Sequence, residues 1–247
     1  MSDVTRAEVC AVACADAFRG DGERLASAFG FVPLIGARLA RATFEPDLLV
    51  SDGEACLVAN TLPLSGGDKV VEAWLPFREV FQLLANGRRH VMMAPSQIDR
   101  YGNMNLSCIG DHAKPARQLI GSRGAPGNTA NHTTSYWVAN HSPRVFVEQV
   151  DFVSGVGTKR ARESGLRFHD LRCVVTNLAV FDFETHDGSL SLRSVHPGVT
   201  VEEVRAATGF PLDEAHVTTS RLPTDEELRL IREVLDPRAL REKEVAA

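Results

Sequence analysis

The turn Ser51-Asp52-Gly53-Glu54 places one hydroxyl and two carboxylates directly after the apolar run Leu48 to Val50. That run predicts a buried strand, and open α/β sheets bind ligands at the carboxyl ends of their strands. We take Ser51, Asp52 and Gly53 as candidate substrate contacts and Glu54 as a candidate catalytic group. Acidic residues beside glycine also commonly do no more than form a turn, so both interpretations stand.

A second polar segment, residues 121–137, begins with a glycine at every third position. Such glycines allow backbone N–H groups to point the same way, which would hold an anion or a developing oxyanion. The string matches neither a P-loop nor a dinucleotide fingerprint, and an ordinary flexible loop is the alternative. The candidate substrate-binding residues here are Gly121, Arg123, Gly124, Ala125, Gly127 and Asn128.

Side chains in and behind this loop add hydrogen-bonding groups. Arg123 could pair with a phosphate or a carboxylate, or it could simply be solvated. Asn131 and His132 are candidate catalytic donors, and a purely structural histidine is equally compatible with the pattern at His132 and at His141. His90, which follows two arginines, is expected at the surface.

The elements that must position these residues alternate along the chain. Three Thr-x-x-Glu spacings predict helix starts, at Thr5 with Glu8, Thr200 with Glu203 and Thr224 with Glu227. Strands are expected at residues 48–50, 90–94, 144–150 and 171–184, with a hairpin tip at 101–103. This alternation predicts a single α/β domain over residues 1–247, an open, mainly parallel sheet covered by helices.

Composition excludes several classes of protein. The net charge of −5 comes without a basic stripe, so no nucleic-acid partner is expected. No apolar run approaches the roughly 18 residues of a membrane span, and the N-terminus lacks a signal-peptide pattern, so a cytoplasmic protein without a membrane partner is expected. The five cysteines fit neither a disulfide framework nor a metal site, and no metal is expected.

Several segments, above all "QIDRYGNMN" and "GSRGAPGN", resemble the β subunits of family I coenzyme A transferases of the glutaconate type. The resemblance runs from about residue 5 to about residue 240. It implies the open α/β fold of that family and a homologous α subunit, in an αβ or (αβ)2 assembly. It also implies an acyl-CoA substrate at the subunit interface, and no cofactor other than the coenzyme A of that substrate.

The resemblance contains one departure. In the transferases this strand ends in a nucleophilic glutamate, and alignment on Gly53 puts Ser51 at that position. Glu54 is three residues further on. A shift of three positions changes the direction of a side chain, so Glu54 would not point to the place of the transferase glutamate. The covalent shuttle of the transferases therefore has no obvious nucleophile in this chain.

Within the family, "SDGE" followed by "GNTANHTTSYWVANH" resembles β subunits of actinobacterial enzymes that degrade steroid rings. The resemblance implies hydrolysis of a C–C bond in the last ring of a cholesterol-derived acyl-CoA, in the manner of a retro-Claisen reaction. The catalytic base would then belong to the α subunit. Two alternatives remain: a true coenzyme A transferase with Glu54 as its nucleophile, and a non-catalytic scaffold for an active α subunit.

Overall fold

The computed structural model describes residues 4–245 of the chain. These residues form two compact units. Unit 1 contains the described residues up to Met93 and those from Ser220 onward, and unit 2 contains Ala94–Thr219. The single domain expected over residues 1–247 stays a prediction beside this division.

Unit 1 contains helices, a parallel sheet and a separate two-stranded hairpin. Its elements are α1 (Arg6–Asp16), β1 (Leu25–Ala28), α2 (Phe31–Thr43), β2 (Leu49–Val50), β3 (Cys56–Val58), β4 (Val71–Trp74), α3 (Phe77–Asn86), β5 (Arg89–Met93), and later a helical stretch described below. Strand β1 pairs in parallel with both β2 and β5. Strands β3 and β4 form a separate antiparallel hairpin.

The helices α1 and α2 pack closely because Gly36 has no side chain. A Cβ atom at Gly36 would meet the Cβ of Cys14 at 2.7 Å. Cys10 and Cys14 are buried on α1, where each acts as a small apolar core residue. Burial raises the pKa of the Cys10 thiol to about 12, which keeps that thiol protonated.

Unit 2 carries the remaining strands. Its elements are β6 (Gln97–Ile98), β7 (Met104–Asn105), β8 (Cys108–Ile109), β9 (Arg117–Gln118), α4 (Ala125–Asn131), β10 (Thr133–Val138), α5 (Thr158–Glu163), β11 (Asp170–Thr176), β12 (Ala179–Asp182), β13 (Ser191–Val195), α6 (Val201–Ala206) and β14 (Thr218–Thr219). The order in its main sheet is β14-β13-β12-β11-β10. Pairing is parallel for β10–β11 and β13–β14 and antiparallel between them.

The chain returns to unit 1 for its last helices. These are α7 (Asp225–Arg229), a π-helical stretch (Leu230–Leu235) and a 3-10 helix (Leu240–Lys243). All three predicted capping boxes are present, at α1, α6 and α7. Parallel pairing predominates in the main sheets, so the expected mainly parallel α/β fold is confirmed.

One predicted strand is wrong. Residues 144–150 form turns with a single bridge, from Phe146 to Ile98, and the strand lies earlier, at β10. Strand β10 was not predicted because most of it lies in the polar segment 121–137, whose composition is typical of a loop. Its polar side chains are buried because they find partners: Thr133 donates to Asp170 at 2.7 Å, and Thr134 donates to the Asn128 carbonyl at 3.3 Å.

Within residues 4–245, no helix is long and apolar enough to cross a bilayer. The same part of the chain contains no group of three or more His, Cys, Asp or Glu side chains arranged to hold a metal ion.

Candidate functional site

The 51–54 turn, in unit 1, is built around the Asp52 carboxylate. Its Oδ1 accepts hydrogen bonds from the backbone N–H groups of Glu54 at 2.9 Å and of Ala55 and Cys56 at 3.0 Å. Its Oδ2 pairs with the Lys69 ammonium at 2.8 Å. The side chain of Asp52 is only 2% exposed. All of these contacts stabilise the turn, so the role of this carboxylate is structural.

The charge state of Asp52 follows from these contacts. Desolvation by burial acts to raise its pKa, but the hydrogen bonds from Lys69 and from the backbone N–H groups of Cys56, Glu54 and Ala55 outweigh it. The pKa of Asp52 therefore lies well below its usual range. The ion pairs with Asp52 and Glu54 raise the pKa of Lys69 in turn. A permanently ionised, fully hydrogen-bonded carboxylate is a poor proton shuttle.

The other residues of the turn differ from Asp52. The side chain of Glu54 is 77% exposed and reaches Lys69 at 3.0 Å. The Ser51 hydroxyl accepts a hydrogen bond of 3.3 Å from the N–H of Gly53, which has a positive φ of 83°. Lys69 was not foreseen from the sequence, because it is 17 residues away from Asp52 along the chain.

The glycine-rich loop, in unit 2, leads into the short helix α4. Of its three regularly spaced glycines only Gly121 takes a positive φ, of 88°, since Gly124 has a φ of −83° and Gly127 lies inside α4. The left-handed conformation falls instead on Arg123, with a φ of 51°. A non-glycine residue held there stores of the order of 1 kcal/mol of backbone strain, a feature often found at binding sites.

The loop leaves some of its backbone donors unused. The N–H of Gly121 donates to the Leu106 carbonyl and that of Ala125 to the Ser122 carbonyl. In contrast, the N–H groups of Arg123 and Gly124 have no acceptor among residues 4–245. A left-handed residue followed by a right-handed one turns successive N–H groups toward one side, which is the geometry of an anion-binding nest.

Three serine hydroxyls fix this loop to the rest of unit 2. Ser107 Oγ lies 2.8 Å from Ser122 Oγ and 2.8 Å from Ser154 Oγ. The N–H of Leu106 donates to Ser154 at 2.9 Å. These serines come from separate loops, so the sequence contains no signal that would have grouped them.

The structure does not bring Asn131 and His132 to the loop entrance. They lie at the far end of α4 from Gly124, separated by a seven-residue helix that is roughly 10 Å long. Asn131 is exposed, whereas His132 is buried and its N–H caps the helix by donating to the Asn128 carbonyl at 2.9 Å. A catalytic role for either residue stays a prediction.

The other two histidines singled out in the sequence are core residues. His90 was expected at the surface, but it is buried in β5 with its Nδ1 2.6 Å from the Asp21 carboxylate. His141 bonds Thr176 and Thr208 and stacks on Phe146 at 3.9 Å. Burial lowers the pKa of His141 to about 3. The expectation for His90 was wrong because hydrophilic neighbours in sequence do not report on a partner 69 residues away.

Neither of two surface cavities in unit 2 contains the candidate residues. One of about 120 Å³ is lined by residues such as Asp182, Arg193 and Asp213, and one of about 440 Å³ by residues such as Arg100 and Asp187. The turn and the glycine loop thus line neither of these two cavities.

Comparison with known proteins identifies the family of this chain and its relatives. The family model described as coenzyme A transferase matches residues 13–207. The chain is 56% identical over 251 residues to the "cholesterol ring-cleaving hydrolase IpdB subunit" of Rhodococcus jostii RHA1, covering 100% of this chain and 98% of the relative. The same name is given to a relative from Mycobacterium tuberculosis H37Rv, 53% identical over 98% of each chain.

A solved structure agrees with the sequence comparison. A chain in the crystal structure of Rhodococcus jostii RHA1 IpdAB superimposes with a TM-score of 0.95 and 54% identity, covering 100% of both chains. The glutaconate coenzyme A-transferase of Acidaminococcus fermentans has a TM-score of 0.81 at 24% identity, which supports the shared fold.

Proposed function

Because this chain belongs to the coenzyme A transferase family, we propose that it is the β subunit of a cholesterol ring-cleaving hydrolase. Likeness over its whole length to subunits that carry this name is the observation that supports the proposal. The substrate is a steroid-derived cyclic acyl-CoA, and the reaction is hydrolysis of a C–C bond of its ring. The partner is a homologous α subunit in an αβ or (αβ)2 assembly in the cytoplasm.

The reaction needs a base, water and stabilised negative charge. The base removes a proton from water, and the hydroxide formed adds to a ring ketone. The C–C bond of the ring then breaks, its electron pair forms an enolate, and the former ketone carbon becomes a carboxylic acid that loses its proton to solvent. The enolate takes up the proton that the base removed from water. We assign the base to the α subunit, because Asp52 is locked in its turn and Glu54 is solvent-exposed.

This chain would contribute charge stabilisation and binding. The unused N–H groups of Arg123 and Gly124 could donate to the enolate oxygen or to another anionic group of the acyl-CoA. The exposed Arg123 guanidinium could pair with a coenzyme A phosphate. We propose no cofactor besides the coenzyme A carried by the substrate.

Glu54→Ala, made in the co-expressed αβ complex, tests the proposal. A hydrolase should keep at least about half of its kcat/KM. Loss of an exposed, ion-paired carboxylate changes substrate binding and the chemical step only slightly. The product formed in heavy-oxygen water should contain the label in its new carboxylate. Asp52→Ala is the matched control on the same turn, and it should lower the free energy of unfolding instead.

The alternative transferase would behave differently. If Glu54 were the nucleophile, Glu54→Ala would abolish turnover, and hydroxylamine would trap a thioester on the wild-type chain only. Unlabelled product together with such a thioester would overturn the hydrolase assignment. A non-catalytic scaffold would be indicated instead if substitutions at Arg123 and Gly124 left ring-opening kinetics unchanged.

A further inference from the structure

Residues 70–81 of unit 1 form an apolar surface that stays uncovered within residues 4–245. All four residues of β4 are exposed, and no residue of α3 is buried. We define the β4–α3 apolar surface by its five most exposed apolar side chains. These are Val70, Val71, Trp74, Phe77 and Phe81.

The helix α3 is amphipathic, but its apolar face is not buried. Phe77, Val80, Phe81 and Leu84 recur at the spacing of one helical face. The rings of Phe77 and Phe81 contact each other edge to face, with centroids 5.2 Å apart. A ten-residue helix is only marginally stable in water by itself, so a face of this kind needs an apolar partner.

The exposed area is that of an interface. Trp74, Phe77 and Phe81 are 68%, 74% and 57% exposed. Summed with the two valines, these side chains expose on the order of 600 Å² of apolar area, which approaches the roughly 800 Å² that each partner buries in a stable complex.

The segment is fixed in place by polar contacts. Leu75 donates its N–H to the Ala55 carbonyl at 2.6 Å, and the pairing of Cys56 with Trp74 holds the hairpin. The N–H of Val70 donates to Asn60 Oδ1 at 2.8 Å. The aromatic side chains are therefore presented on an anchored scaffold, which lowers the entropic cost of binding.

We propose that the β4–α3 apolar surface docks the α subunit, an inference that rests on the proposed function. Relatives of this chain are named as subunits, and a chain in the crystal structure of IpdAB has the same fold. Glu72 and Glu79 flank the aromatic side chains and pair with Arg41 at 3.9 Å and Arg78 at 3.4 Å, so the surface has no unneutralised basic cluster that would attract an anionic membrane. Exposed aromatic residues at this density are typical of interface hot spots.

The double variant Phe77→Glu/Phe81→Glu, in the co-expressed complex, tests the proposal. Because both side chains are exposed, the variant should keep its circular-dichroism spectrum while the α subunit dissociates at concentrations at least about a hundredfold higher, measured by light scattering after size exclusion. Phe168→Glu is the matched control: Phe168 is a similarly exposed aromatic in unit 2, and its substitution should leave the complex intact. A double variant that retains the α subunit like the wild type overturns the proposal.

A photo-crosslinking residue, p-benzoylphenylalanine, in place of Phe81 identifies the occupant without disturbing assembly. A crosslink to the α subunit supports the proposal, whereas a crosslink to a second copy of this chain, or none, overturns it. Ring-opening activity of the wild-type complex is measured in parallel. An inactive complex that crosslinks to the α subunit refutes the proposed function alone, and an active complex without that crosslink refutes the docking surface alone.

Discussion

Asp52 and Glu54 are two residues apart and share one partner, Lys69, yet their surroundings differ. Asp52 accepts three backbone hydrogen bonds in a buried position, while Glu54 points into solvent. A buried carboxylate that loses its charge would leave those N–H groups and Lys69 poorly paired, which costs far more than neutralising an exposed one. Asp52 therefore has a structural role because it is buried and accepts backbone hydrogen bonds, and not because of its residue type.

The His141 side chain should make stability depend on pH. Its pKa is lowered from an unfolded value near 6.5 to about 3 by burial, so the unfolded chain binds a proton that the folded protein does not. Its contribution is complete above about pH 6.5 and is lost as the pH falls toward 3. Urea unfolding should show it as a slope of about 1.4 kcal/mol per pH unit between pH 4 and 6.

Comparison of variants isolates this slope from other acid effects. His141→Asn removes the titrating ring, so its free energy of unfolding should be lower at pH 7 but should decline less steeply on acidification. His186→Gln, at an exposed position, is the control and should retain the wild-type slope. Parallel pH profiles for His141→Asn and the wild type would rule out His141 as the titrating group.

At the scale of elements, the entrance to α4 combines backbone strain at Arg123 with the binding role proposed for that residue. Arg123→Gly removes a left-handed penalty of about 1–2 kcal/mol and adds about 0.4–1 kcal/mol of unfolded-state entropy. The free energy of unfolding should therefore rise by roughly 0.5–1 kcal/mol. Ala239→Gly is a matched control, because Ala239 has nearly the same φ of 50°.

Enzyme kinetics then separate backbone from side chain at this position. Both glycine variants should stabilise the protein, but only Arg123→Gly should raise the KM for the acyl-CoA substrate, since only that residue lies in the proposed binding loop. Arg123→Ala should raise KM similarly without the gain in stability. A KM that is the same in all three variants would remove Arg123 from the binding site.

Elements governed by local chemistry were predictable from the sequence. The capping boxes of α1, α6 and α7 need only residues three apart, and the hairpin at 101–103 needs the positive φ of Gly102, which is 77°. Strand β10 was missed because its polar side chains are buried by bonds to groups distant in sequence, such as the one from Thr133 to Asp170. Helix α3 was missed although Phe77, Val80, Phe81 and Leu84 have the spacing of one helical face.

The candidate site was predictable to the same extent. The 51–54 turn and the 121–124 loop were located by residue type and resemblance. The roles of their members depend on Lys69, Ser107 and Ser154, which only the folded chain brings near. No periodicity or motif encodes such long-range polar contacts, so the free donors of the loop and the buried state of Asp52 could not be derived beforehand.

At the scale of the whole molecule, a buried ion network joins the two sequence-distant parts of unit 1. Glu8 on α1 pairs with Arg232 at 2.6 Å and with Arg241 at 2.9 Å, and Arg241 also pairs with Asp236 at 3.0 Å. Burial acts to raise the pKa of Glu8, but the bonds from Arg232 and Thr5 and the charges of Arg241 and Arg232 lower it overall. Glu8 therefore remains ionised in the interior of unit 1.

Glu8→Gln keeps the shape of the side chain but removes the charge that both arginines face. Removing one member of a buried pair costs about 3–5 kcal/mol, and the lower end applies here because Asp236 still pairs with Arg241 and Arg232 reaches solvent. Glu226→Gln, which breaks the exposed pair with Arg229, should cause no measurable change. Denaturant unfolding of the two variants decides the matter, because equal midpoints would mean that the residues after Ser220 are held to α1 by apolar packing and not by charge.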